Sequence, residues 1–131
     1  MRRWAYMMIA AAGLAGSAGI GEAALAAHGL DSGNSSASLQ TSANFLLLHA
    51  TAIVAITSFA HTSERFPRYF LSAAFVLLLG TIIFCGDLTL RALAGSRLFV
   101  MAAPLGGSLL IAGWLFLAII AITAGAINDN R

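Results

Sequence analysis

Three ionisable side chains, Glu22, His49 and Asp87, stand inside stretches of otherwise apolar sequence, and Arg91 follows Asp87 by four residues. A charge within an apolar span costs several kcal/mol unless it is paired or hydrated, so each of these groups requires a partner. Asp87 and Arg91, at i and i+4, share one helical face and can neutralise each other. Along the helical rise, Glu22, His49 and Asp87 all fall about six to eight residues, roughly 9–12 Å, from the same end of their spans. Arg91 and His28 lie nearer the surface on that side. Such a cluster could bind a proton, a cation or a lipid headgroup. In the plain structural alternative Asp87 pairs with Arg91, Glu22 is protonated or also meets Arg91, and His49 bonds a backbone carbonyl across the helix seam. A metal site needs three or four converging ligands, and these spacings match no metal signature, so neither a metal nor another cofactor is expected. No nucleophile or Gly-rich phosphate loop accompanies the acids and the imidazole, so the chain reads as non-enzymatic.

The elements that must position these groups follow from composition. With 60% hydrophobic and 9% charged residues, the 131-residue chain has too little polar surface to coat a soluble domain. Its apolar material falls into four blocks, each near the roughly 20 residues that cross a hydrocarbon core. We expect an all-α, four-transmembrane-helix bundle forming a single membrane domain over residues 1–131, with helices at about 4–27, 41–60, 68–93 and 104–127. The stretch Leu30 to Gln40, rich in Ser, Gly and Asn, reads as a mobile, hydrated loop, and Gly29 suits a left-handed helix cap. Pro67 is placed where the third helix can begin, and Gly95 where it ends. A secretory signal is the rival reading of the first block, but its apolar run is longer than a usual signal core.

Gly13, Ser17 and Gly21 recur every fourth residue, a small-residue stripe that lets a neighbouring helix approach closely in lipid, and this places helix 1 at the centre of the bundle. Gly106 and Gly113 lie one heptad apart in helix 4, with Gly107 and Trp114 beside them, and Gly86 adjoins Asp87. Trp114 is expected in the core, and the lone cysteine, Cys85, in a packing role. All seven cations are arginines. Arg2, Arg3, Arg65, Arg68 and Arg131 gather at one end and Arg91 and Arg97 at the other, which by the positive-inside rule puts both termini in the cytoplasm. Arginines that flank spans orient a membrane protein and do not make a nucleic-acid surface. An offset of 65 residues brings Glu22 onto Asp87 and His49 onto Trp114, a faint echo of a duplicated hairpin.

The motifs resemble those of the YgdD-like family of small membrane proteins, which includes animal transmembrane protein 256. Ala24-Leu25-Ala26-Ala27-His28 is similar to its Gly-Ala-Phe-Gly-Ala-His helix end, and His49 to its helix 2 histidine. Phe84-Cys85-Gly86-Asp87-Leu88 resembles its Phe-Ser-Gly-Ser-Leu, and Pro104-Leu105-Gly106-Gly107 with Gly113-Trp114 its Thr-Pro-x-Gly-Gly and Gly-Trp. The resemblance implies four helices in an inner membrane and carries no established activity. It also shows where this chain departs: Cys85 and Asp87 stand where the pattern has serines, Phe45-Leu46 replaces a Tyr-Gln pair, Ala103 replaces Thr, and Glu22 replaces an apolar residue. The leading expectation is an accessory or assembly subunit of a larger membrane complex, or a self-associating bundle, in a bacterial inner (plasma) membrane rather than a mitochondrial one. The alternative is a small proton, cation or lipid transporter or channel working through Glu22, His49 and Asp87.

Overall fold

A computed structural model of the chain describes residues 2–29, 33–63 and 66–129. It consists of four long helices, α1 (Arg2–His28), α2 (Asn34–Thr62), α3 (Pro67–Ala94) and α4 (Ala102–Asp129), each long and apolar enough to cross a membrane. In lipid only helices or closed barrels can satisfy every backbone polar group, and runs this apolar take the helical solution. Consecutive helices are antiparallel. Ser36 Oγ bonds Ala26 O at one end of the α1–α2 pair, and Phe59 meets Phe70 at the other end of α2–α3.

The order of packing is α1 on α2, α2 on α3 and α3 on α4; α1 barely touches α3, and among the described residues α1 and α4 do not approach each other. The enclosed helices are therefore α2 and α3, and α1, expected at the centre, lies at the edge. The cause is the choice of face. Ala5, Met8, Ala12, Gly19 and Ala26 are the buried residues of α1, whereas Gly13, Ser17 and Gly21 are exposed. The core runs through Ala12, Ile53, Ala60, Ala73, Leu77 and Leu110. The echo at 65 residues is not expressed as a two-fold: such an axis would pack α1 on α4 as it packs α3 on α2.

Helix 2 begins at Asn34, so the second half of the expected hydrated loop is helical. Its polar composition suggested a loop, but Leu39 is fully buried and Ser36 docks on the end of α1. Leu30, Asp31 and Ser32 lie outside the described residues. Gly95, at φ 65°, takes the left-handed position that closes α3, with its N–H on Arg91 O, and Gly29 does not. Met101, also left-handed at φ 71°, turns the exposed apolar connection Leu98, Phe99, Val100 into α4.

Candidate functional site

Asp87 is wholly buried, with a side-chain exposure of 0%, and pairs with Arg91 one turn along α3, whose own side chain is 36% exposed. Its second oxygen, Oδ1, accepts the backbone N–H of Leu98 at 2.9 Å. The carboxylate thus ties the α3–α4 connection to the helix it leaves, and the arginine carries the charge balance outward to the surface. Burial of the acid is tolerable because both oxygens are occupied.

Glu22 faces a different seam. Thr89 Oγ1 lies 2.7 Å from Glu22 Oε1 and 2.8 Å from Cys85 O, while Ser42 Oγ is 3.1 Å from Thr89 Oγ1 and 3.3 Å from Cys85 O. Cys85 Sγ in turn reaches Ser42 O at 3.6 Å. Hydroxyls at i+4 can bond back to a helix carbonyl, which is how Thr89 comes to sit over Cys85. Thr89 has one hydroxyl proton for its two acceptors, and the Ser42 hydroxyl, which also reaches Cys85 O, can serve that carbonyl. Glu22 Oε2 is buried without a hydrogen-bond partner. It borders a cleft of about 360 Å³ lined in part by Ala18, Leu46, Cys85, Gly86 and Leu98.

His49 is nearly fully buried on α2. Its Nδ1 lies 2.8 Å from Phe45 O, in its own helix and not across the seam, and its Nε2 accepts Trp114 Nε1–H at 3.3 Å. The Nδ1–H tautomer satisfies both contacts together. Phe45 stacks beside the imidazole, with ring centroids 5.6 Å apart, and meets Phe84 at 4.8 Å with the two rings tilted by 42°. Trp114, expected in the core, is 40% exposed: its N–H reaches across to His49 of α2 while part of the side chain faces outward.

The three side chains expected at one level, and the two expected nearer the surface, therefore form separate arrangements. Asp87 joins Arg91, Glu22 joins Thr89 and Ser42, His49 joins Trp114, and His28 is exposed at the end of α1. Among the described residues no group of three or more His, Cys, Asp or Glu could hold a metal ion. Of the small residues, Gly106 and Gly113 make close helix contacts: a Cβ on Gly106 would stand 2.5 Å from Phe84 N, and one on Gly113 2.8 Å from Leu77 Cδ2. Gly86 and Gly107 sit at ordinary contact distance of Leu98 and Phe84, and Gly13 and Gly21 meet nothing within 4 Å. Ser17 Oγ bonds Gly13 O in its own helix. The residues that sequence reading missed are Ser42, Thr89, Gly19 and Gly80. Ser42 lies one heptad before His49, and Gly19 three residues before Glu22, so the polar groups themselves marked those faces.

A family model described as a protein of unknown function (DUF423) matches residues 22–107. The chain is 31% identical over 98 residues to a UPF0382 membrane protein of Haemophilus influenzae, covering 72% of this chain and 77% of that protein. It is 31% identical over 103 residues to a UPF0382 membrane protein of Staphylococcus haemolyticus, covering 76% and 82%. The UPF0382 inner membrane protein YgdD of Escherichia coli K12 is 31% identical over 84 residues, 64% of this chain and 63% of that one. No solved structure matches the chain.

Proposed function

For a chain that belongs to the YgdD-like, DUF423 family of small membrane proteins of unknown function, we propose a non-enzymatic role in which the outward face of α1 docks a further transmembrane helix. The protein is a multi-pass protein of the bacterial inner membrane, and the proposal sets both ends at the cytoplasm. The observation that carries it is that Gly13 and Gly21 have open space where a side chain would be, with Ser17 between them turned back onto its own helix. Small residues on an uncovered face spend no packing inside the protomer and permit close approach by another helix. The partner is a second copy of the chain or a larger membrane complex.

The test is native mass spectrometry of the tagged protein released from its own membrane in mild detergent. Gly13→Leu, Ser17→Leu and Gly21→Leu together should strip the partner and leave the protomer folded, because a Cβ at Gly13 or Gly21 would meet nothing within 4 Å and Ser17 is exposed, with its hydroxyl bonded within its own helix. Gly19→Leu is the contrasting control: its Cβ would meet Leu46, Leu47 and Ala43 O within 3.2 Å, so it should disturb the α1–α2 seam itself. Association unchanged in the triple variant would end the proposal.

A second reading, proton or cation binding in support of transport, is favoured by one observation, the unpartnered Glu22 Oε2 beside its cleft. Asp87 and His49 have both polar atoms engaged, so the burden falls on Glu22. A pH-dependent flux in liposomes that Glu22→Gln abolishes supports this reading; no flux under any gradient, or flux indifferent to that change, counts against it.

A further inference from the structure

The sparse contact between α1 and α3 leaves a groove of about 580 Å³ at the end of the bundle where α1 begins, lined by Trp4, Met8, Leu71 and Phe75, with Arg68 and Ser72 beside them. A second cleft of about 290 Å³ is lined by Arg2, Ala5, Ala60, His61 and Leu71, so Leu71 forms a wall shared by the two. The first is within the roughly 300–1,000 Å³ of small-molecule sites. Its walls are aliphatic and aromatic, while Arg68 and, next door, Arg2 supply cations. Among the described residues neither has an acidic partner: the ion pair there is Asp87 with Arg91, at the opposite end.

From this we propose that the α1–α3 groove is a binding site for an anionic phospholipid, one acyl chain lying along Met8, Leu71 and Phe75 and the phosphate held between Arg68 and Arg2. Charge complementarity selects the occupant. A groove of this apolarity accepts any lipid chain, but arginines at its mouth that have no acidic partner among the described residues favour a headgroup with net negative charge over a zwitterionic one. Trp4, 63% exposed beside the groove, is placed to cover the glycerol region, where the indole finds both an apolar bed and a polar rim. The proposal is independent of the α1 docking face, which is formed by Gly13, Ser17 and Gly21.

The test reconstitutes the full chain in vesicles of equal phosphatidylglycerol and phosphatidylethanolamine and reads the lipids that remain bound by native mass spectrometry. Phosphatidylglycerol should be retained in clear preference. Arg68→Gln should lower that preference about five-fold, the worth of one arginine near an anionic headgroup. Ser72→Trp leaves every charge in place and fills the groove from an exposed position, and it should release the lipid to a similar extent. Arg97→Gln, the same change of charge at the other end, should leave retention at the wild-type level. Equal retention of the two lipids overturns the proposal, as does a preference that survives both groove variants or falls equally with Arg97→Gln. A dimer that Ser72→Trp dissociates, with no lipid preference, would assign the groove to a second copy and overturn it as well.

Discussion

Gly106→Ala probes the described glycine at which an added Cβ would come closest to another helix's backbone. The added Cβ would lie 2.5 Å from Phe84 N and 2.8 Å from Phe84 Cα and Cβ. Carbon contacts settle at about 3.5–4.0 Å, so α4 must withdraw from α3 by about 1 Å, and a backbone obstacle cannot rotate aside as a side chain can. Overpacking of this kind costs about 1–3 kcal/mol. The withdrawal also lengthens the Trp114–His49 hydrogen bond two turns further along α4, a loss of about 1 kcal/mol more. Helix propensity offers no compensation, because the helices persist in the detergent-unfolded state. Two neighbouring glycines calibrate the effect. At Gly113 the obstacle is Leu77 Cδ2, the flexible end of a side chain, so Gly113→Ala should cost about 1 kcal/mol; at Gly107 the nearest atom is at 3.9 Å, and Gly107→Ala should fall within about 0.5 kcal/mol of the parent. The assay is equilibrium unfolding in mixed micelles with sodium dodecyl sulfate, followed by tryptophan fluorescence in a Trp4→Phe background so that Trp114 alone reports. A Gly106→Ala protein as stable as the parent, or a Gly107→Ala protein equally damaged, would refute the reasoning.

Two further perturbations read the polar contacts. Trp114→Phe keeps an aromatic ring but removes the donor, leaving His49 Nε2 buried and unsatisfied, and should cost about 1–2 kcal/mol in dodecyl sulfate unfolding followed by the reactivity of the buried Cys85 thiol. Adding His49→Leu should then cost less than the two single changes summed; strict additivity would mean that the bond contributes nothing. Asp87→Asn keeps an oxygen for the Leu98 N–H and removes the charge, whereas Arg91→Leu leaves a buried carboxylate with that N–H alone. Arg91→Leu should therefore destabilise the protein by about 2 kcal/mol more than Asp87→Asn, after allowing for the partial exposure of the arginine, and show the larger fall in thermal midpoint in detergent. The reverse order would show that the loop contact, not charge balance, is the larger contribution.

Existence of the four helices was legible because length and apolarity in a membrane are near-sufficient signals. The Asp87–Arg91 pair was legible for a similarly local reason: a spacing of four on one helix needs no tertiary knowledge. The partners of Glu22 and His49 were not. Thr89 is 67 residues from Glu22 and Trp114 is 65 from His49, and only the relative rotation of separate helices brings them together. The start of α2 was misread because Asn, Ser and Gln are neutral evidence once a single buried leucine, Leu39, can fasten the extra turns to the bundle.

The misplacement of α1 has a more general physical root. A soluble helix announces its buried face by apolar periodicity, but in lipid both faces are apolar and that signal vanishes, so a stripe of small residues on its own leaves open whether the partner lies inside the protomer or beyond it. The dependable indicator is a polar group, which cannot face hydrocarbon cheaply. Stepping back from Glu22 by alternating threes and fours gives Gly19, Ala15, Ala12, Met8 and Ala5, and every one of these is buried or half-buried in the structure. The same walk from His49 gives Leu46 and Ser42 on one side and Ile53, Ile56 and Ala60 on the other, all buried. Gly13, Ser17 and Gly21 fall off that path. Their smallness has no use inside the protomer, and this turns the misread stripe into the reason for seeking its partner outside.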